Sequence, residues 1–263
     1  MSAFDKVAAA RAKGRPTGMD FIVNLFTDFV ELHGDRRYGD DKAVITGIAR
    51  LNEMPVTVVA LEKGHDTKEK VLRNFGSAHP EGYRKALRQM QLAEKFGRPV
   101  VCLVDTAGAY CGIAAEERGQ GQAIAENLMQ MMTLKVPIIS ILIGEGGSGG
   151  ELALAVADEV WMLENSVYSV ISPEGCASIL WKDSSKVKEA AECLKLTADD
   201  LLGLGVIEKI IPENGKDFAK TYLEVKRSLW VAFAKRKPLS PGVLVEQRYN
   251  RFRRIGAAEH NED

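Results

Sequence analysis

The sequence predicts an α/β fold in which helices cover both faces of a β-sheet. Two segments, 99–104 and 136–143, are apolar at nearly every position, which is typical of strands buried on both faces. Segments with helical spacing, 80–96 and 119–134, alternate with these strands. With 263 residues, of which 46% are hydrophobic, the chain can bury a core without disulfides or metals. One domain with helical extensions at both ends is the simplest interpretation.

Composition excludes several classes of protein. The 35 basic and 36 acidic side chains give a formal charge of −1, so we expect neither nucleic-acid nor membrane-surface binding. The longest apolar run, 136–143, is far shorter than the roughly 20 residues that span a bilayer. The N-terminus lacks the apolar stretch of a secretory signal. The cysteines are neither paired nor spaced for zinc, which predicts a cytoplasmic protein with free thiols and no metal: Cys102, Cys111, Cys176 and Cys193.

The N-terminal half begins with a predicted amphipathic helix over 20–30. Thr17 and Asp20 resemble a capping box before it, and Gly34 marks its end. Val, Ile and Thr are then enriched in 43–51 and 55–61, which predicts a pair of strands.

The second half continues the alternation of strands and helices. Short strands are predicted at 160–163, 167–171 and 206–211. Four helices are predicted. The first follows the glycine loop and ends at Ala157, the second begins after Ser172-Pro173, the third begins after Thr197, and the fourth spans 216–236. The remainder after Pro238 is a charged tail.

The most informative segment is Gly144-Glu-Gly-Gly-Ser-Gly-Gly150, which lies between an apolar strand and an apolar helix. Five glycines in seven residues let the backbone adopt positive φ and let another molecule approach closely. The first N–H groups of the following helix lack partners and point outward. The segment is therefore a candidate site for an anion or an oxyanion, although a turn required only for packing is the alternative.

Two familiar motifs overlap in this loop. Gly144, Gly146 and Gly149 spell the GxGxxG fingerprint of dinucleotide-binding domains, with Glu164 as a candidate ribose ligand. Such a fingerprint usually opens its domain, whereas here more than 140 residues precede it.

The second motif is GxSxG, the nucleophile elbow of hydrolases, centred on Ser148. That fold requires a histidine after the serine, and the sequence offers only His260 in the charged tail. A third interpretation needs no catalytic side chain: the N–H groups of Gly149 and Gly150 stabilise an oxyanion on a substrate carbonyl.

A second loop, Asp105–Gly112, also follows a buried strand. Open α/β sheets bind ligands at the carboxyl ends of their strands, so both loops can line one cleft. Tyr110 can present a flat surface to a ring or can belong to the core. The candidate substrate-binding residues in the two loops are Gly108, Ala109, Tyr110, Gly112, Gly146 and Gly147.

A basic stretch, Lys63–Lys70, directly follows a predicted strand, and Arg73 lies close behind it. Lys63, Lys68 and Arg73 are candidates for binding a phosphate-bearing substrate or carrier. A solvated, charged helix face explains the same residues equally well.

Several long motifs, taken together, resemble the alpha subunits of bacterial acetyl-CoA carboxylase carboxyltransferases. The resemblance extends from about residue 34 to residue 212. The motifs are Lys63-Gly-His-Asp-Thr-Lys-Glu-Lys70, Arg73-Asn-Phe-Gly76, Pro80-Glu-Gly-Tyr-Arg-Lys-Ala-Leu87, Ala115-Glu-Glu-Arg-Gly-Gln120, Gly144–Gly150 and Tyr168–Lys182.

The resemblance implies a crotonase-like fold, a spiral of ββα units with flanking helices. The core would span 34–212, with a helical extension over 1–33 and a helical extension and tail over 213–263. It also implies the transfer of a carboxyl group from biotin on a carrier protein to acetyl-CoA, which gives malonyl-CoA for fatty-acid synthesis. Gly149 and Gly150 would be the catalytic amides, which stabilise the oxyanion on the biotin side.

The resemblance also implies partners. In the family, a separate beta subunit carries a zinc ribbon and binds acetyl-CoA, and the two chains form an α2β2 complex that accepts the biotin carboxyl carrier protein. An inactive scaffold, a related decarboxylase and a propionyl-CoA enzyme are the alternatives. This sequence has Ala107 and Cys111 where prolines are common in the family, which changes the rigidity expected of the second loop.

Overall fold

The computed structural model describes residues 1–215 and 217–257, and its centre is one eight-stranded sheet. The strands are β1 (Thr27–Glu31), β2 (Val44–Leu51), β3 (Met54–Leu61), β4 (Val100–Thr106), β5 (Ile138–Gly147), β6 (Glu159–Leu163), β7 (Val167–Ser169) and β8 (Lys209–Ile211). Their order in the sheet is β1-β2-β3-β4-β5-β6-β8, and β7 pairs with the end of β5. The first three strands are antiparallel and the later pairings are parallel.

Helices connect the strands and extend the chain at both ends. They are α1 (Ala3–Ala10), α2 (Gly18–Leu25), α3 (Thr67–Leu72), α4 (Pro80–Lys95), α5 (Ile113–Glu117), α6 (Gln120–Thr133), α7 (Ser148–Leu152), α8 (Pro173–Leu180), α9 (Val187–Cys193), α10 (Ala198–Gly203), α11 (Ala219–Arg236) and α12 (Pro241–Arg254). In the part of the chain that the structure describes, none of these helices is long and apolar enough to cross a membrane.

Alternate side chains of the central strands enter two separate apolar clusters. On β4, Val100 and Cys102 pack in the cluster that contains residues of α4 and α6. Val101 and Leu103 pack instead with residues of α2 and α11. This alternation follows from the two-residue repeat of a strand. The prediction of a sheet covered on both faces is therefore confirmed.

The predicted helix starts are confirmed by the caps. The Asp20 carboxylate accepts the N–H of Thr17 at 2.8 Å at the start of α2. The Ser172 hydroxyl accepts the N–H of Gly175 at 3.1 Å, with Pro173 in the first turn of α8. The strand pair β2–β3 and the helices α4 and α6 also lie within a few residues of their predicted positions.

The predicted first helix, 20–30, is wrong at its C-terminal end. The helix stops at Leu25, and β1 begins two residues later and pairs with β2, with Val30 opposite Ile48. Phe26 is already extended, with φ −122° and ψ 159°, and Asp28 within β1 takes φ +53°. The Phe29 ring lies against the Cα of Gly47, where a methyl group would lie only 2.4 Å from the ring. The apolar spacing fits a helix, but pairing with the exposed edge of β2 determines the conformation.

The glycine loop is also shorter than predicted. β5 continues through Gly147, so the first glycines extend the strand rather than forming a free loop. The helix that follows ends at Leu152 instead of Ala157, because the backbone turns from Ala153 onward. The strands β7 and β8 are shorter than predicted, at three residues each, and α11 starts at Ala219 rather than 216.

The region predicted as a charged tail contains α12, which the sequence analysis missed. Ser240 caps this helix, and Pro241 occupies its first turn. The predicted acidic end of the chain lies outside the described residues. The domain boundaries at 33/34 and 212/213 stay a prediction, and β1, from the predicted N-terminal extension, belongs to the main sheet.

The helix α12 is fixed to the core by Arg248, whose side chain is fully buried. Its Nε donates to Asp158 Oδ1 at 2.9 Å. Its other nitrogens donate to the carbonyl oxygens of Met131 at 2.7 Å, Leu134 at 2.7 Å and Val136 at 3.0 Å. One guanidinium thus neutralises a buried carboxylate and pairs three carbonyl groups between α6 and β5.

We expect the substitution Arg248→Met to lower the free energy of unfolding by about 3–5 kcal/mol, because it leaves the Asp158 carboxylate buried without its cation. Urea denaturation of the wild type and the variant measures the change. Arg253→Ala, an exposed position on the same helix, is the matched control and should change stability by less than about 0.5 kcal/mol. Equal stability of Arg248→Met and the wild type would contradict this role.

Candidate functional site

The two glycine-containing loops lie side by side at the carboxyl ends of β4 and β5. These strands are parallel neighbours, and their pairing extends to Thr106 opposite Gly146. The loop that follows β4 and the loop that follows β5 therefore leave the sheet at the same edge. The sequence-based expectation that they line one cleft agrees with this arrangement.

The loops touch through their backbones. A methyl group on Gly147 would lie 2.2 Å from the carbonyl oxygen of Ala107, and one on Gly150 would lie 2.5 Å from the backbone nitrogen of Ala109. No side chain of any kind fits at these two positions without separating the loops. The high glycine content therefore has a physical cause: two backbones in direct contact.

Gly149 and Gly150 lie in the first turn of α7, where the N–H groups have no carbonyl partner within the helix. Gly149 is half-buried, and the nearest atoms to a methyl group placed on it would be those of Ile124, at 3.6 Å. Gly150 is buried under the second loop. Ser148, which precedes them, is exposed and takes φ +53°. The turn from strand to helix thus presents backbone N–H groups beside the cleft.

Of the predicted residues of the second loop, Gly108 and Ala109 lie against the glycine turn. Gly108, with φ +153°, passes over the carbonyl oxygen of Gly147. The Tyr110 ring is half-buried and stacks on His79 with centroids 4.3 Å apart. Gly112 faces that ring, and a methyl group there would lie 2.5 Å from it. The Tyr110 ring is therefore partly packed and partly exposed. It is neither a fully buried core side chain nor a freely accessible surface for a substrate ring.

The remaining predicted residues are more dispersed. Gly146 is buried and packs against Leu142 and Glu151 rather than facing the cleft. Lys68 is exposed on α3. Arg73 donates to the carbonyl oxygen of Lys42 at 2.8 Å, which directs its side chain toward the β2 side of the molecule.

Lys63 belongs to an ion-pair network whose carboxylates, Asp105 and Glu145, are nearly buried and whose outer member, Arg11, is partly exposed. The Lys63 Nζ lies 2.5 Å from Asp105 Oδ1 and 3.4 Å from Glu145 Oε2. Asp105 also accepts the backbone N–H of Glu145 at 2.8 Å. Glu145 in turn binds Arg11 at 2.6 Å. These four side chains tie α1, the end of β3, β4 and the glycine loop together.

The sequence did not reveal three residues around Lys63. These are Arg11, Asp105 in its role as an ion-pair partner, and Phe75. Phe75 is 55% exposed and takes φ +54°, between Asn74 at +48° and Gly76 at +78°. Left-handed backbone at a bulky residue is strained and is enriched at functional sites. A pocket of about 230 Å³ lies between Phe75, Lys63 and the N-terminal segment. The only sequence signal was the motif Arg73-Asn-Phe-Gly76.

A buried carboxyl group lies directly behind the glycine turn. Both oxygens of Glu151 are buried without a hydrogen-bond partner, and the Tyr168 hydroxyl lies near them without meeting hydrogen-bond geometry. Burial raises the pKa of Glu151 well above its ordinary value. The Tyr83 hydroxyl, also unpaired, would lie 3.0 Å from a methyl group on Gly150, and burial raises its pKa too. The environment therefore favours the neutral forms of these groups.

The structure weakens the two motif-based hypotheses. Because β5 runs through Gly147, Gly144 and Gly146 are strand residues and do not form the phosphate-binding turn of a dinucleotide site. The Glu164 carboxylate accepts the backbone N–H of Glu213 at 3.0 Å. His260, the candidate base for Ser148, lies outside the described residues. No cluster of metal-binding side chains occurs within 1–215 and 217–257.

Comparison with known proteins supports the resemblance. Residues 1–256 match the model of a family described as acetyl co-enzyme A carboxylase carboxyltransferase-like. An acetyl-coenzyme A carboxylase carboxyl transferase subunit alpha from Ruminiclostridium cellulolyticum is 69% identical over 256 residues, which cover 97% of this chain and 98% of that protein. The subunit of the same name from Streptococcus thermophilus is 58% identical over 245 residues, 93% of this chain and 96% of its own length.

Solved structures with the same fold are more distant in sequence. A transcarboxylase 12S core matches with a TM-score of 0.69 and 21% identity over 87% of this chain, which spans only 44% of the transcarboxylase chain. A Pseudomonas malonate decarboxylase hetero-tetramer matches with a TM-score of 0.66 and 20% identity, over 82% of this chain and 89% of that one. The expected crotonase-like fold is thereby confirmed. From the family model and these close relatives, the chain belongs to the acetyl-CoA carboxylase carboxyltransferase alpha family.

Proposed function

We propose that this chain is the alpha half of an acetyl-CoA carboxylase carboxyltransferase. It transfers the carboxyl group of carboxybiotin, borne on a biotin carboxyl carrier protein, to acetyl-CoA, and the product is malonyl-CoA. The observation that carries the proposal is the turn at Gly149 and Gly150, where unpaired N–H groups meet a second backbone loop. Membership of the family supports the same assignment.

The residues of the cleft fit a cyclic urea such as that of biotin. Backbone N–H groups at Gly149 and Gly150 can donate to its oxygen as negative charge develops there, and such donors contribute strongly to rate. The half-buried Tyr110 ring follows Ala109, which contacts Gly150, and offers apolar surface in the same loop. When bound, biotin supplies the carboxyl group and a ureido nitrogen basic enough to take the proton from the acetyl methyl group.

The side chains around the turn do not supply a base of their own. Asp105, at the end of β4, and Glu145, within the glycine segment, are paired with Lys63 and Arg11. Glu151 lies behind the amides, and its raised pKa favours the uncharged acid. A neutral Glu151 also avoids negative charge next to an oxyanion. What this chain contributes is therefore orientation, exclusion of water and stabilisation of charge.

The rest of the site comes from partners in this proposal. A beta subunit with a zinc ribbon supplies acetyl-CoA binding, in an α2β2 complex, and the carrier protein delivers biotin. Lys68, exposed on α3, is a candidate to contact the carrier or its cargo, whereas Lys63 and Arg73 would have to exchange their present partners, Asp105 and the carbonyl of Lys42, to do so. The four free cysteines are consistent with the cytoplasm as the location of the complex.

The proposal is tested by following the decarboxylation of malonyl-CoA in the presence of biocytin. The chain alone and the chain mixed with a zinc-containing beta partner are compared. We expect turnover only in the mixture, because the alpha chain supplies only the half of the site that binds biotin. Turnover by the chain alone, or the absence of turnover in a stably assembled mixture, would refute the proposed function.

The substitution Gly150→Ala should lower kcat by about 10²–10³, the cost of losing one oxyanion donor. The new methyl group would force Ala109 away and displace the turn. Gly149→Ala is the matched control, since its methyl group meets only Ile124 at ordinary contact distance. It should retain most of the activity, and both variants should bind the partner as the wild type does. Near-normal turnover of Gly150→Ala would show that the turn is not the oxyanion site.

The substitution Glu151→Gln should remove a pH dependence of stability. The raised pKa means that the folded state holds the proton more tightly than the unfolded state, whose carboxyl group titrates near 4.5. Wild-type stability therefore falls as pH rises from about 4.5 toward the folded-state pKa. Urea denaturation at several pH values should show that the free energy of unfolding of Glu151→Gln rises relative to that of the wild type as pH increases through this range. A constant difference at all pH values would mean that Glu151 is not held neutral.

A further inference from the structure

The side chain of Arg11, at the end of α1, binds Glu145 within the glycine segment 144–150. Its Nε and Nη2 both donate to Glu145 Oε1, at 2.9 and 2.6 Å. Its Nη1 donates to Glu174 Oε1 at 2.7 Å, in the first turn of α8. The guanidinium therefore joins three segments that are far apart in the sequence.

Glu145 depends on this contact. Its side chain is only 11% exposed, and its other cation is Lys63 at 3.4 Å, which already lies 2.5 Å from Asp105. The Lys63 ammonium group is shared between the two carboxylates and lies closer to Asp105, so Arg11 is the nearer cation of Glu145. Without Arg11, a nearly buried carboxylate would be left undercompensated, which is costly.

The position of Glu145 also determines that of the loop. Its backbone N–H donates to Asp105 at 2.8 Å, and the next residue, Gly146, pairs with Thr106. A shift of the Glu145 side chain toward solvent would pull on the residue that starts the contact between the two loops. The amides of Gly149 and Gly150 follow only four and five residues later.

Contacts other than those of Arg11 anchor the N-terminal segment. The backbone that carries Arg11 is therefore held in place. Arg15 donates to the carbonyl oxygen of Ile143 at 2.8 Å and forms two hydrogen bonds with Glu213. Lys6 donates to the carbonyl oxygen of Glu164 at 2.8 Å. Without Arg11, the segment is therefore still held against the end of β5 at residue 143.

We propose that Arg11 is a positioning residue of the carboxyl-transfer site, which holds Glu145 and thereby keeps the glycine turn against the second loop. The inference rests on the proposed function. Arg11 does not bind substrate in this account, because Nε, Nη1 and Nη2 are all directed at Glu145 and Glu174. The N-terminal helix is therefore part of the site, although it lies outside the segment that carries the sequence motifs.

The test is the kinetics of Arg11→Gln in the complex with the beta partner, with malonyl-CoA and biocytin as substrates. We expect kcat to fall by roughly 10- to 100-fold, as for a small misplacement of catalytic groups, with KM for both substrates nearly unchanged. Arg11→Lys should recover part of the activity, because it keeps the charge but loses the planar fork.

Arg236→Gln is the matched control. Arg236 pairs with Glu159 at 2.5 Å, and its side chain is 12% exposed, but it lies on α11, away from the glycine loops. This variant should keep the wild-type kcat. Three results would each overturn the inference: an unchanged kcat in Arg11→Gln, a rise in KM with kcat unchanged, or an equal loss of kcat in Arg236→Gln.

Hydrogen exchange of the full chain without partner or substrate separates this inference from the proposed function. Arg11→Gln should speed amide exchange in the peptide 144–150, while the rest of the sheet exchanges as in the wild type. If the wild-type complex is inactive but this local change occurs, the function fails and the positioning role stands. If exchange in 144–150 is unaffected, Arg11 does not hold the loop.

Discussion

The site depends on one contact, the direct approach of two backbones at the ends of β4 and β5. Ala107 and Ala109 of one loop lie so close to Gly147 and Gly150 of the other that no Cβ atom fits between them. Because these strands are parallel neighbours, the sheet brings both loops to one edge, and glycine allows them to touch. This contact helps to position the turn that exposes the amides of α7.

Ion pairs also hold the two loops together. Lys63, Asp105, Glu145 and Arg11 alternate in charge across the back of the loops. Paired buried ions contribute more to a unique geometry than to net stability, since their desolvation offsets much of their attraction. The same network pairs Asp105 and Glu145 with cations, and burial favours the neutral form of Glu151, which is consistent with a reaction that uses a base on biotin rather than on the protein.

Local patterns predicted an α/β sheet covered on both faces and drew attention to the glycine segment, whereas the expectation of a crotonase-like fold came from the resemblance to a known family. Apolar strands such as 136–143 and the run Gly144–Gly150 are visible without a structure. The end of the first helix was not predictable, because pairing of β1 with β2 overrides a helical apolar pattern. The role of Arg11 was also hidden, since its partner Glu145 is 134 residues away and only the fold brings them together. The sequence also identified Lys63 as a candidate because of its charge, but it did not reveal the acidic side chains with which Lys63 pairs.

The central claim is that the amides at the glycine turn hold the ureido oxygen of biotin. The most direct measurement is a crystal structure of the alpha chain with its beta partner, soaked with biocytin. The account predicts the ureido oxygen at about 2.7–3.1 Å from the backbone nitrogens of Gly149 and Gly150. A ureido ring bound elsewhere, with the turn at Gly149 and Gly150 unoccupied or facing the partner chain, would contradict it.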